Sequence, residues 1–262
     1  LEIGERLLGI QDDLTPPRRL RAQFVSSIAV SDFKKTGQDF LRYFTELCQL
    51  KPDERVLEIG SGCGRIAVPL AGFLSAGGGY EGLEIVAEGV TWCQAKITPR
   101  FPHMKFRLAD VYNRHYHPLG RHLASQYPFP YGHSSFDFVF LTSVFTHMLP
   151  EDLEHYLSEI YRVLRPGGRC LITYFLWNEE AESLTQTGKS SFDFSHQQDV
   201  YRTVDLQTPE IAICYPEEFI LNLYEKIGFD VRKPLYYGRW CGRQTSLSGQ
   251  DMIVASKGPL SG

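Results

Sequence analysis

The residues best suited to do chemistry are three spaced acids and a run of glycines. Glu58 stands just ahead of Gly60, Ser61, Gly62, Cys63 and Gly64, and Glu84 and Asp110 follow further along. Glycines at alternate positions let the main chain turn sharply and approach a bound molecule where a β-carbon would collide. The dinucleotide fingerprint G-x-G-x-x-G needs a glycine at position 65, where the chain has Arg65. The pattern here is G-x-G-x-G, with a carboxylate two residues ahead of the first glycine. An acid so close suits a ligand carrying positive charge and would repel a pyrophosphate. A turn of the same shape that binds nothing is the alternative for these residues. His147 and His196 complete the set, as side chains able to take a proton.

These residues need elements to hold them. Residues 55–59 alternate and then run apolar, as a short buried strand does. After the glycines, Ile66, Val68, Leu70, Phe73 and Leu74 recur as in a helix. Strand, glycine turn and helix form the opening unit of a nucleotide-type α/β sheet. A second strand over 79–83 ends in Glu84, about twenty residues past the turn, where such sheets place a carboxylate on ribose hydroxyls. Its two oxygens can accept from both hydroxyls at once. A helix over about 86–97 leads to a third strand, 104–108, followed by Asp110 and Val111. A helix cap is the alternative role for Asp110.

The fourth strand, 135–141, is nearly all apolar and belongs at the centre of a sheet with both faces covered. It ends in Thr142, Ser143, Val144, Phe145, Thr146 and His147. Pro150 and Glu151 open a helix that stops at Arg165-Pro166-Gly167-Gly168, and a fifth strand covers 169–174. From 175 to 214 the rhythm lapses in a stretch too long for a simple connector. Its aromatic residues, Trp177, Phe192 and Tyr201 among them, mark it as a cap over a substrate, with a disordered insertion as the alternative. Residues 216–227 form an amphipathic helix with proline and acids at its start, stopped by Gly228. Strands over 229–237 and 251–256 close the chain, and Trp240 either lines the pocket or packs at the sheet edge. Before the sheet, Pro16 and Pro17 break the chain and a helix covers 32–50.

The bulk numbers narrow the classes. The 262 residues are 43% hydrophobic and 22% charged, enough for one domain with additions and a substantial core. A net charge of -4 leaves no electrostatic footprint for nucleic acid. Six scattered cysteines show neither a C-x-x-C pair nor a disulfide framework. His115, His117, His122 and His133 lack the spacing and carboxylate partners of a metal site, so no metal is expected. No apolar run approaches a membrane span, and a cytoplasmic location is the default expectation. Oligomeric state does not follow from the residues.

The acid-x-G-x-G-x-G loop at Glu58–Gly64, together with the Leu164-Arg165-Pro166-Gly167-Gly168 turn and its flanking helix and strand, resembles the class I S-adenosylmethionine-dependent methyltransferases of small-molecule type. The resemblance implies a Rossmann-like seven-stranded, mostly parallel sheet with helices on both faces and an antiparallel last strand. It implies a lid segment at 1–50 ahead of a methyltransferase domain at 51–262, with the cap inserted at about 175–215. The implied cofactor is S-adenosyl-L-methionine, whose ammonium and sulfonium suit the acid at Glu58. Its implied contacts are Glu58, Gly60, Ser61, Gly62, Gly64, Glu84, Ile85, Asp110, Val111 and Thr142. Glu84 would hold the ribose, where many relatives use Asp; Ile85 would pack on the adenine, and Asp110 would accept from its amino group. Residues 141–147 would then face the transferable methyl, with His147 the first candidate base and His196, in the cap, the second. The acceptor expected is a small organic molecule, with Trp177, Phe192 and Tyr201 as candidate contacts. A cofactor-binding regulator without catalysis and a nucleotide-dependent oxidoreductase are the alternatives.

Overall fold

Burial shapes the strands of the first half of the chain. The computed structural model describes residues 12–25 and 29–259, and they group into two compact units that divide after Asp110. In β1 (Arg55–Ile59) only Arg55 is exposed and the other four residues are buried. β2 (Gly79–Glu84) and β3 (Met104–Leu108) run parallel beside it, with Glu58 opposite Gly82 and Glu84 opposite Leu108. Among the described residues four helices complete the unit: α1 (Arg18–Phe24), α2 (Val30–Leu47), α3 (Ala67–Phe73) and α4 (Ala87–Lys96). α2 turns Phe33, Phe40, Tyr43 and Phe44 inward. It also approaches very closely at Gly37, where a β-carbon would lie 2.3 Å from the Arg65 carbonyl oxygen. That contact seats α2 against the residues leading into α3.

The second unit is built on β4 (Phe136–Leu141). Phe138, Val139, Phe140 and Leu141 are fully buried, each such side chain contributing about 1.5–3 kcal/mol by leaving water. Asp137, the polar exception, pairs with Arg165 at 2.7 Å. α5 (Pro150–Val163) leads into β5 (Leu164–Tyr174), which lies parallel to β4. The expected break at Arg165-Pro166-Gly167-Gly168 is not a turn ending the helix but an irregularity inside β5. The register with β4 shifts there, Phe136 facing Leu164 while Phe138 faces Arg169. Gly167 takes up the kink with a φ of 77°.

The stretch after β5 is ordered into a small four-stranded sheet of order β6-β9-β8-β7, made from β6 (Leu176–Trp177), β7 (His196–Gln197), β8 (Arg202–Thr203) and β9 (Ile213–Pro216). α6 (Glu179–Thr185) lies within it, capped by the Asn178 side chain. α7 (Glu217–Ile227) ends at Gly228, whose φ of 102° is left-handed as a glycine stop requires. β10 is short (Phe229–Val231), and β11 (Asp251–Lys257) runs antiparallel to both β10 and β5. The seven-stranded sheet has the order β10-β11-β5-β4-β1-β2-β3, all parallel but for β11. Trp240 does not line an edge: it is buried in the cap's core with Phe175, Phe194 and Cys214. Its indole donates to Asp251 at 2.7 Å.

Candidate cofactor and catalytic site

In the first unit the glycine turn has the geometry its sequence calls for. Gly60, Gly62 and Gly64 have φ of 81°, 53° and 84°, conformations that side chains with a β-carbon rarely adopt. The turn is pinned to β2 by the Gly60 amide, which donates to the Leu83 carbonyl at 2.8 Å. Glu84 completes the fastening. Its carboxylate accepts from Gly62 N at 2.7 Å and from Ile85 N and Val86 N, both at 2.8 Å. The extra methylene of Glu, relative to Asp, gives the reach to take all three. Burial nonetheless outweighs these donors and holds the Glu84 carboxyl above its ordinary value.

Glu58 is buried beside them and accepts a short hydrogen bond from the Tyr80 hydroxyl. At Gly82, opposite Glu58, a β-carbon would come within 2.9 Å of the Phe106 and Ser61 side chains. Burial pushes the Glu58 carboxyl up to about 8, against the opposing pull of Tyr80 and Arg65. Burial also lowers the Arg65 guanidinium, so desolvation governs both members of this acid–base pair. The Ser61 hydroxyl is buried with no hydrogen-bond partner among the described residues. An orphaned hydroxyl, free to accept, in a cradle of bare glycines beside two buried acids is a fit for a polar, positively charged ligand. Ile85 and Asp110 are half-buried at the ends of β2 and β3.

Three features here were not foreseen. Phe24, from α1, packs on the loop where a Gly62 β-carbon would come within 3.1 Å of its ring. Gly89, in α4, sits so close that its β-carbon would meet the Gly62 carbonyl oxygen at 2.4 Å. Arg19 and Gln23 of α1 both hold Glu88, at 2.8 and 3.0 Å. The apolar spacing of Leu20 and Phe24 was the available signal for α1, obscured by its three arginines.

In the second unit Val111 and Thr142 are buried, and the segment after β4 is strained. Ser143 has a φ of 58°, held by its amide on Thr173 Oγ1 at 2.8 Å and by its hydroxyl on Gln250 Oε1 at 3.1 Å. Such strain in a non-glycine residue clusters at functional sites. Thr146 Oγ1 is buried without a partner among the described residues. His147 Nδ1 donates to the Glu210 carbonyl at 2.9 Å, which fixes the tautomer and leaves Nε2 the basic nitrogen in the neutral ring. Burial lowers the His147 pKa despite the carbonyls of Glu210 and Ile211. Tyr116 stands edge-on to the imidazole at 6.1 Å.

The other expected residues are spread across the cap. His196 is exposed on β7. Trp177 and Phe192 line one groove, whereas Tyr201 packs against Tyr215 at 6.4 Å. His117 and His155 donate to the main chain at Val111 and Tyr127. No group of three or more metal-ligating side chains occurs among the described residues, and all six cysteines are free and buried.

Residues 57–172, which span β1 through most of β5, match the model of a family described as a methyltransferase domain. Solved structures with the same fold include a methyltransferase from Methanosarcina mazei, 21% identical, covering 82% of this chain and 98% of its own, with a TM-score of 0.55. Magnesium protoporphyrin IX methyltransferase from Synechocystis, with S-adenosylhomocysteine bound, is 15% identical over 92% of each chain, with a TM-score of 0.56. A Burkholderia thailandensis 1,6-didemethyltoxoflavin-N1-methyltransferase, with its substrate and S-adenosylhomocysteine bound, is 17% identical over 87% of this chain and 86% of its own, with a TM-score of 0.50. Residues 57–172 thus match a methyltransferase domain, and the fold is the one that S-adenosylmethionine-dependent methyltransferases share.

Proposed function

We propose that the chain transfers the methyl group of S-adenosylmethionine to a small organic acceptor and releases S-adenosylhomocysteine. The observation that carries this is the glycine turn fastened through Gly62 to the buried carboxylate of Glu84. The sulfonium supplies the reactive methyl. The protein's part is to bind, align and exclude water, and alignment alone is worth roughly 7–11 kcal/mol. The residues proposed to hold the cofactor are Glu84 for the ribose hydroxyls, Ile85 and Val111 against the adenine, and Asp110 for its amino group. Glu58, Ser61, Thr142 and the bare main chain of Gly60, Gly62 and Gly64 serve the methionine end.

His147 is the proposed general base. The lowered pKa keeps its ring neutral at pH 7, and the Glu210 carbonyl holds Nδ1–H, so Nε2 can take a proton from a hydroxyl or ammonium acceptor. His196, exposed and distant in sequence, is the second choice. A negative charge and no membrane-spanning helix among the described residues favour a small acceptor over nucleic acid or lipid bilayer, in a cytoplasmic setting. The test is a screen for S-adenosylhomocysteine over small hydroxyl, amine and acid acceptors. Product with at least one class supports methyl transfer. Cofactor binding without product from any of them would point to a regulator instead.

A further inference from the structure

A groove of about 550 Å³ opens in the cap, between the 185–195 segment and β8. Its apolar wall is made of rings that cannot fold away. Phe192 and Phe194 stack at 5.6 Å, and both lean on Phe175, at 4.7 and 5.3 Å. Trp240 backs Phe194 at 5.4 Å. Phe192 still leaves 37% of its surface exposed, an aromatic face with nothing on it. Ser191 and Ser195 add hydroxyls to the lining.

Arg202 supplies the charge. Its guanidinium lies over the Trp177 ring at 4.2 Å and donates to Gln197 Oε1 at 2.9 Å. Those two contacts hold the plane still, and no carboxylate of the described residues pairs with it. Asp193, the other charged side chain of the lining, is exposed to solvent, which screens it. A half-buried, oriented guanidinium with donors to spare matches a carboxylate's two oxygens, a match that an amide or ester cannot reproduce. The volume and the mix of rings with a few polar groups are those of a small-molecule site.

We propose that this groove binds a carboxylic acid carried on an aromatic or similarly flat apolar body, with the carboxylate on Arg202 and the ring against Phe192, and that such acids are the acceptor class. Calling the occupant an acceptor rests on the methyl transfer proposed above; its binding to the groove does not.

Naphthalene-2-carboxylate and naphthalene-2-carboxamide share a ring and differ by one charge. Each is titrated into the whole chain and into R202Q, R202K and F192A, followed by tryptophan fluorescence, with thermal melts to confirm folding and S-adenosylmethionine titrated in parallel. The carboxylate should bind the unaltered chain about tenfold more tightly than the carboxamide, a preference that R202Q abolishes and R202K keeps in part. F192A should weaken both probes alike. Equal affinity for the two probes, or an unchanged preference in R202Q, overturns the proposal. Binding of the cofactor but of neither probe removes the groove site and leaves methyl transfer standing. Binding of the carboxylate but not the cofactor removes methyl transfer and leaves the groove site standing. If the probes behave as expected and no aromatic acid yields S-adenosylhomocysteine, the acceptor role is overturned.

Discussion

Glu58 illustrates how a single side chain links fold, pH and ligand. Its folded pKa of about 8 lies above the ordinary 4.5 because burial disfavours the charge. The folded chain therefore holds this proton more tightly than the unfolded one, and stability contributed by the neutral form is lost as pH rises from about 4.5 to 8. Glu58→Gln cannot ionise, so it should gain about 3–5 kcal/mol over the unaltered chain at pH 8 and nothing below pH 4. Denaturant melts at both pH values measure this; an equal offset at the two would contradict it. A cationic ligand nearby favours the ionised form, so cofactor binding at pH 7 should release a proton, read as a dependence of binding heat on the buffer's own ionisation heat.

His147 makes the opposite case, since burial lowers its pKa and the base form is ready at neutral pH. The acid limb of the pH–kcat/KM profile should fall below the free-histidine value near 6.5. His147→Ala should lower turnover about a hundredfold while calorimetry finds cofactor affinity intact. Full activity in that variant would remove the histidine as base. Neither pKa could be read from the sequence, because both follow from burial by residues distant along the chain, against the opposing pull of Tyr80 on Glu58 and of Glu210 on His147.

Between elements, α4 lies hard against the glycine turn. Gly89→Ala puts a β-carbon 2.4 Å from the Gly62 carbonyl oxygen, and neither main chain can move without disturbing Glu84's hold on Gly62 N. Cofactor affinity should fall about tenfold or more, with the circular dichroism spectrum unchanged. The cap depends on a different joint. Asp251 accepts from Leu176 N, Gly238 N, Trp240 Nε1 and Arg243. Its pKa, raised by burial to about 6, still leaves it ionised at pH 7. Asp251→Ala strands Leu176 N, Gly238 N and Trp240 Nε1, while Arg243 keeps Glu180 and the Gly238 carbonyl, and should cost about 3–5 kcal/mol. Hydrogen exchange should quicken at the amides of 176 and 238 ahead of those of the glycine turn; uniform quickening would contradict a local role.

Elements with strong apolar periodicity or glycine punctuation were readable in advance. β1 and β3 have the expected bounds, and α7 stops at Gly228 as expected. Reading failed where punctuation misled or periodicity had no room. The proline and two glycines read as a turn between helix and strand; α5 does stop just ahead of them, yet β5 already begins at Leu164 and runs through them with a register shift against β4. The two-residue strands β6, β7 and β8 are too short to show a period. They exist because β6 and β8 pair with β9, β7 pairs with β8, and a shared aromatic core lies among them.

At the scale of the molecule, the motif at Glu58–Gly64 indicated the fold class well before any geometry, since few other sheets put an acid and three alternate glycines at one turn. The sheet order and the family match over 57–172 bear out that expectation. The cofactor's individual contacts could be inferred only by likeness, and the placing of Arg202 above Trp177 was invisible, because nothing in a sequence tells a solvated arginine from one held on a ring. The most direct measurement is a calorimetric titration of S-adenosylmethionine into the unaltered chain and into Glu84→Ala. One molecule should bind per chain, and the variant should bind about 1.5–3 kcal/mol more weakly, the scale of hydrogen bonds to a charged group. No binding to the unaltered chain, or equal affinity in the variant, would contradict the assignment of this site.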